Sequence, residues 1–545
     1  MGLKANSIQN LFRNDKVVLV FLWLMVTSIN LTKAFHIDDT FHLESGEWIM
    51  QHWTTPLSGE INWDNNAEPM HTFNQPVLFF YCVAVVGSVF SFGEIPMHIL
   101  LSIFSFIALL FFLKIQRLIY PKSSLLAVAL FALCPAFIVN QNVMTDVPLL
   151  AFMLGFIFYL FKAADDSTRN YIYSGIFLAL CLLTKYTVLP LLLVYAIVFV
   201  SRQHFKHLWS LIIPIGALAL WSLWNLAEFD GVHILGREAS SFSFKSLGSG
   251  LLSFAGCLTA VLPLYFILSS YFNKKVSLVL TICLLLGVVF TPIAFVLGWI
   301  SHEISVGILN IGLTLLGLFL IISTLCIVWK TAKQDKLAFS FVGKPSGVML
   351  MCFVGMALFV ILFAPFMASR HVLLTIPFLL LFHIPMLEKA SSTIRNVILG
   401  ATVFLGLVLG ISDWHYAQYY KDFAQQIPAS TPSSKVWSVG HWGWQWYANK
   451  QGASMYNRDA HDVSVGDRLV MPQNISAQAL HPSLILQATD SLYAPSSVWN
   501  FFSVHNAASM YSSRYKKPAW TFSIEPIDTI VVYKVDSIDL LRVEN

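Results

Sequence analysis

Charge is what this chain has least of. Asp, Glu, Lys and Arg make up 11% of its 545 residues, against about a quarter in soluble globular chains. Hydrophobic residues reach 57% and the mean hydropathy is +0.68. A soluble globular protein is excluded, and a polytopic α-helical membrane protein is the class that remains. The net charge of +4 is small and the basic residues form no patch, so no nucleic-acid partner is expected. Cysteine chemistry is missing too. Cys82, Cys134, Cys181, Cys257, Cys283, Cys326 and Cys352 all lie in apolar runs, and none falls after residue 400. No pair has the spacing of a metal or redox motif. Each is expected to be a small buried hydrophobe, and the C-terminal region must fold without disulfides. There is no fixed-period repeat and no low-complexity tract.

What the chain has in abundance is long apolar runs. Those near 17–35, 96–113, 123–140, 147–161, 171–184, 187–201, 208–226, 249–270, 276–297, 305–328, 346–366, 372–386 and 396–412 read as about thirteen transmembrane helices. The first follows Lys4, Arg13 and Lys16, as a secretory signal would. It is long for such a signal, and Asn30-Leu31-Thr32-Lys33-Ala34 is a poor cleavage site, so an uncleaved span is expected. The run 76–91 sets the topology of everything after it. If it does not cross, the cytoplasmic loops carry 18 basic residues and the outer side of the membrane region carries 5. If it crossed, every later loop would invert that bias. Cytoplasmic loops hold the excess of Lys and Arg. The run is therefore placed on the outer side as a juxtamembrane or re-entrant element, with the N-terminus cytoplasmic and the C-terminus outside.

Residues 1–412 then form a transmembrane core with an outer loop at 36–95. Residues 413–545 change in character. Short β-like runs at 435–439, 467–471, 483–487 and 529–535 are separated by turn residues and charges. They predict a small soluble α/β domain on the outer, periplasmic or extracytoplasmic, face. The loop after the first span is too long to be a mere connection.

This threading gathers the unusual charges on one face. Asp38 and Asp39 follow span 1, Asp146 lies between spans 3 and 4, and Lys185 lies between spans 5 and 6. Arg237 follows span 7, and Arg370-His371 lies between spans 11 and 12. Carboxylates and cations at one membrane surface suit transfer from a lipid-linked phospho-sugar. A base takes the proton of the acceptor hydroxyl, worth about 10²–10⁴ in rate, and cations stabilise the departing lipid phosphate. Each residue also has a plain structural reading. Asp38-Asp39 is a solvated loop start, Asp146 is the N-cap of span 4, and Arg370 snorkels to the headgroups. Lys185 is harder to explain away, because it opposes the positive-inside bias in a short outer turn. The aromatic group Trp442, Trp444, Trp446 and Tyr447 reads as packing or an interface anchor.

The order of the motifs carries a resemblance. The acidic pair after span 1 is followed by Asn74-Gln75-Pro76-Val77-Leu78, Met144-Thr145-Asp146-Val147-Pro148, Leu183-Thr184-Lys185-Tyr186 and Ser369-Arg370-His371-Val372-Leu373-Leu374-Thr375-Ile376-Pro377. Together they resemble the GT-C superfamily of polyprenyl-phosphate-sugar-dependent glycosyltransferases. The branch is that of bacterial relatives of dolichyl-phosphate-mannose protein mannosyltransferases and of the lipid A aminoarabinose transferase. The resemblance covers residues 10–415. It implies a GT-C-type core of about thirteen spans, juxtamembrane helices in the first outer loop and an inverting, single-displacement transfer. It makes Asp38 the base, with Asp39 in place of a usual Glu, and gives Asp146 an assisting role. Lys185, Arg370 and Arg237 are the cations for the donor phosphate. His42, Tyr186 and His371, the last in place of a usual Tyr, are candidates for acceptor or sugar contacts. No cofactor or metal is implied, although two adjacent carboxylates could bind a divalent ion. The implied partners are a polyprenyl-phosphate-linked sugar donor, an acceptor lipid, glycan or protein, and the bilayer of a bacterial inner membrane. A secondary transporter or lipid flippase is the reading from another class. A lipid-linked glycan polymerase or ligase is the alternative among transferases.

Overall fold

A computed structural model describes residues 14–73, 75–236, 244–270, 287, 290–334, 339–364, 366–427, 431, 434–493, 501, 510–511, 517–523 and 526–539. Among the described residues six helices are long and apolar enough to cross a membrane: Glu94–Ile119, Asp146–Asp165, Phe205–Phe229, His302–Gln334, Pro345–Phe363 and Ser392–Ala424. With them the chain is an integral membrane protein. The expected count of about thirteen is not reached by that measure. The run expected at 123–140 is two pieces, Leu126–Leu133 and Pro135–Val139, because Pro135 forces Cys134 into extended backbone at ψ 143°. The run 372–386 is likewise split into Ser369–Leu373 and Ile376–Lys389. Most of the run 276–297 lies outside the described residues.

The spans start where polar caps allow. Asn14 accepts from the backbone N–H of Lys16 at 3.0 Å ahead of the helix Asp15–Asn30. Ser167 and Ser391 cap the helices Thr168–Leu182 and Ser392–Ala424 in the same way. Inside the bundle, close approach depends on small residues. A Cβ at Gly317 would lie 2.0 Å from the Ala255 carbonyl oxygen, so the helices Phe244–Val261 and His302–Gln334 touch backbone to backbone.

The loop after the first span folds into the helix Asp39–Gln51, the hairpin β1 (Glu60–Asn62) with β2 (Ala67–Pro69), and the helix Leu78–Phe90. Phe41, Ile49, Leu57, Ile61, Met70 and Phe80 form one apolar cluster with Tyr186 and Trp221 of the bundle. The helix Leu78–Phe90 spans about 20 Å at 1.5 Å per residue, short of a hydrocarbon core about 30 Å thick. One face, with Phe79, Phe80 and Val83, is buried; the other, with Val85, Val89 and Phe90, is exposed and apolar.

The last helix, Ser392–Ala424, runs 33 residues and passes residue 412 without a break. Its far end carries Tyr419 and Tyr420, whose hydroxyls donate to the Asp528 carbonyl oxygen at 2.6 Å and to Asp528 Oδ2 at 3.1 Å. Beyond it, β3 (Val436–Ser438), β4 (Ser454–Met455), β5 (Arg468–Pro472), β6 (Leu484–Tyr493) and β7 (Thr529–Ile538) form one sheet in the order β4-β3-β5-β7-β6. β3 pairs in parallel with β4 and β5, and β7 pairs antiparallel with β5 and β6. Trp437, Val439, Tyr456, Leu469 and Val535 pack on it. The helix Trp442–Lys450 connects β3 to β4 and lies against the first loop.

Candidate active site

Four of the residues singled out by sequence meet as two ion pairs at one end of the bundle. Arg370 Nη1 donates to Asp38 Oδ2 at 2.7 Å, and Lys185 Nζ donates to Asp146 Oδ1 at 2.8 Å. Each side chain stands at an element end. Asp38 precedes the helix Asp39–Gln51, Asp146 opens the helix Asp146–Lys162, Lys185 sits in extended backbone after Thr168–Leu182, and Arg370 lies in the short helix Ser369–Leu373. Asp146 at a helix N-terminus also meets the positive end of the helix dipole. The pairs form one cluster. Asp146 interacts electrostatically with both Lys185 and Arg370, and His42 with Asp38, Lys185 and Asp146.

Asp38 and Asp39 are neighbours in sequence with opposite surroundings. The Asp38 side chain keeps 27% of its surface and faces Arg370. Asp39 is fully buried, and its Oδ2 accepts the His36 backbone N–H at 2.8 Å. Burial pushes the Asp39 carboxyl up to about 8, so at neutral pH it is a protonated group that closes the turn. The turn itself is strained: Ile37 has φ +52°, rare and costly for a β-branched residue.

The candidate contact residues differ in the same way. His42 Nδ1 bonds the Asp38 carbonyl oxygen at 2.8 Å, and its ring stacks on Phe80 with centroids 4.9 Å apart. Burial holds it down to about 4 and so neutral. His371, buried beside the Arg370 guanidinium, is held down to about 3. Tyr186 is buried, and its hydroxyl accepts from Trp221 Nε1 at 2.7 Å, an anchor for the helix Ile212–Phe229. Arg237 lies outside the described residues. Among the described residues no three His, Cys, Asp or Glu side chains stand together as metal ligands. Gln75, from the motif at 74–78, joins the cluster through its Oε1, which accepts from Thr145 Oγ1 at 2.8 Å.

Several buried polar atoms around the pairs lack a protein partner: Asp146 Oδ2, Arg370 Nε, His42 Nε2, His371 Nδ1 and Asn142 Oδ1. Such atoms are few in most folded proteins, and their concentration here marks a site that stability alone did not shape. Sequence reasoning missed the group beneath it. Lys33 Nζ donates to Asp413 Oδ2 at 2.9 Å and to the Val139 carbonyl oxygen at 3.2 Å, with both side chains buried. Tyr511 donates to Asp413 Oδ1 at 2.7 Å and accepts from Asn142 Nδ2 at 3.0 Å. The available signal was the polar triplet Asn140-Gln141-Asn142 after an apolar run, with Lys33 and Asp413 each standing alone at the end of a long apolar run.

Asp146 and Lys185 fall in the part of the chain that known proteins recognise. Residues 74–224 match the family of dolichyl-phosphate-mannose-protein mannosyltransferases. The match takes in Asp146 and Lys185 and leaves Asp38 and Arg370 outside it. Solved structures that align with the chain include ArnT from Cupriavidus metallidurans bound to undecaprenyl phosphate, at 13% identity and a TM-score of 0.49 over 86% of this chain and 93% of that one. The Archaeoglobus fulgidus oligosaccharyltransferase follows at 12% identity and a TM-score of 0.44, covering 80% of this chain and 62% of that one. The S. cerevisiae protein O-mannosyltransferase Pmt1-Pmt2 complex bound to its sugar donor aligns at 14% identity over 42% of this chain and 36% of that one, with a TM-score of 0.30. No curated protein sequence matches the chain. The family match and the motif order agree: the chain resembles the membrane glycosyltransferases that use lipid-phosphate sugars.

Proposed function

We propose that the protein transfers a sugar from a polyprenyl-phosphate donor to an acceptor lipid, glycan or protein. The reaction takes place at the outer face of a bacterial inner membrane, with residues 413–545 on that face. The observation that carries this reading is the meeting of Asp38–Arg370 with Asp146–Lys185 at one end of the bundle. Two acids and two cations there supply the base and the phosphate clamp that such a transfer needs.

The acceptor hydroxyl oxygen attacks the anomeric carbon, the bond from that carbon to the phosphate oxygen breaks, and its electron pair leaves with the lipid phosphate. The anomeric configuration inverts. Asp38, the acid with exposed surface, takes the acceptor proton. Arg370 and Lys185 hold the phosphate, with Arg237 as a third cation, and Asp146 orients Lys185. In the arrangement described here each cation is held by an acid. A donor phosphate competes for Arg370 and Lys185, and as Arg370 turns to it Asp38 is freed from its partner to face the acceptor hydroxyl. Donor binding and release of Asp38 from Arg370 are thus one event. The test is transfer from a labelled undecaprenyl-phosphate sugar by the purified protein. Full activity in an Asp38→Asn variant would remove Asp38 from the role, and no transfer from any polyprenyl-phosphate sugar would remove the reading.

A further inference from the structure

The segment Trp442–Lys450 takes no part in the proposed chemistry, yet it is seated on the turn that carries Asp38. Gly443 lies so close that a Cβ there would sit 2.1 Å from the Phe35 carbonyl oxygen and 3.2 Å from His36 Cα. The Trp442 carbonyl oxygen accepts from Thr40 Oγ1 at 2.5 Å. The Tyr447 hydroxyl accepts the Phe35 backbone N–H at 2.8 Å and donates to Glu94 Oε1 at 2.8 Å. Further along, Gln445 Nε2 donates to Glu44 Oε1 at 3.1 Å and Lys450 pairs with Glu47 at 2.8 Å. The two helices are thus joined along their length.

These contacts bracket a strained residue. Phe35 is held before Ile37 and Thr40 after it, and Ile37 sits between them, buried, at φ +52°. Backbone in that region relaxes unless its surroundings over-determine it. Trp442, at φ +65°, is the second strained residue of the contact and stands directly before the glycine that allows it. Strain on both sides of one backbone-to-backbone contact, one residue away from Asp38, points to positioning more than to packing.

We infer that the helix Trp442–Lys450 is a clamp that holds the Phe35–Thr40 turn in its strained form and so aims Asp38, with Tyr447 and Gly443 as positioning residues. The inference rests on the reading of Asp38 as the base. The aromatic segment is then part of the transfer machinery through the turn it holds, and the soluble region is needed for the chemistry as well as for the fold.

Tyr447→Phe keeps the ring and removes both hydrogen bonds. Misplacing a catalytic group by about 1 Å costs up to about 10²-fold, so we expect kcat to fall about tenfold or more with the donor KM little changed. Adding Ile37→Gly provides the rescue, because glycine adopts positive φ without strain. The double variant should recover kcat while its thermal midpoint drops further, since a buried side chain is lost. A merely structural Tyr447 would give the opposite, an enzyme made worse by both changes. Hydrogen exchange gives a readout free of the reaction: Tyr447→Phe should speed exchange across residues 35–42 and leave 102–119, beyond the turn that carries Glu94, unchanged. Unchanged exchange at 35–42 would overturn the clamp, as would a kcat loss that Ile37→Gly does not relieve. Asp38→Asn is assayed in parallel. An inactive Asp38→Asn beside a fully active Tyr447→Phe sinks the clamp alone. A fully active Asp38→Asn with faster exchange in Tyr447→Phe sinks the base assignment and leaves the clamp on the turn.

Discussion

Replacing Asp38 by Asn keeps the shape of the side chain and removes the base. Transfer should fall by about 10²–10⁴, read as kcat/KM with a saturating donor series. Asp39→Asn should do something different. Its carboxyl is buried and accepts one N–H from His36, a bond that an amide oxygen can make as well. The variant is expected to fold and to retain activity, and the two neighbours are thereby separated. Stability against pH checks the same point. The folded value of Asp39 is about 8 against an ordinary 3.8, so the folded state holds a proton that the unfolded chain releases between those values. The stability this proton confers is full below about pH 4 and is lost as pH rises to about 8. Burial raises Glu44 to about 7, which acts in the same direction over a narrower window. Asp39→Asn should therefore flatten the fall in thermal midpoint most clearly between about pH 7 and 8. The sequence brought Asp38, Asp146, Lys185 and Arg370 into view because charge near span ends is rare enough to notice. It could not separate Asp38 from Asp39. Which of two adjacent carboxylates is buried depends on the direction of the turn, and Ile37 sets that turn in a conformation its residue type disfavours.

At the scale of elements, the buried pair Lys33–Asp413 joins the end of the first span to the last long helix. Removing one member of such a pair strands a charge, at a cost of about 3–5 kcal/mol, while replacing both by apolar groups is often neutral. Lys33→Met should lower the thermal midpoint sharply, and Lys33→Met with Asp413→Leu should recover most of the loss. A double variant no better than the single one would show that the pair acts through some other group. Six of the expected runs appear as helices long and apolar enough to cross a membrane, and the run 76–91 appears as the shorter helix Leu78–Phe90. The break at Pro135 was available from the proline and was smoothed over by the length of the apolar run. The long reach of Ser392–Ala424 was not legible. Its second half is polar and aromatic, and it stays helical because Tyr419 and Tyr420 pack against the region around Asp528. Tertiary contact there outweighs local hydropathy.

The whole molecule makes a prediction about sidedness. With the native cysteines replaced, Gln451→Cys on the exposed turn after Trp442–Lys450 should react with a membrane-impermeant maleimide in cells whose outer membrane is permeabilised. Lys122→Cys, exposed at the opposite end of the bundle, should react only after lysis. The reverse pattern would invert the topology and place the site in the cytoplasm. The sequence by itself determined the class of the protein, which of its charges are unusual beside apolar runs, and the order of its motifs. All three depend on composition and spacing along one dimension. Tertiary structure decided the pairing of Asp38 with Arg370 and of Asp146 with Lys185, the burial of Asp39, and the contact of Trp442–Lys450 with the turn before Asp38. Those facts join residues as far as 412 positions apart, and they hinge on backbone conformations that local sequence preference opposes.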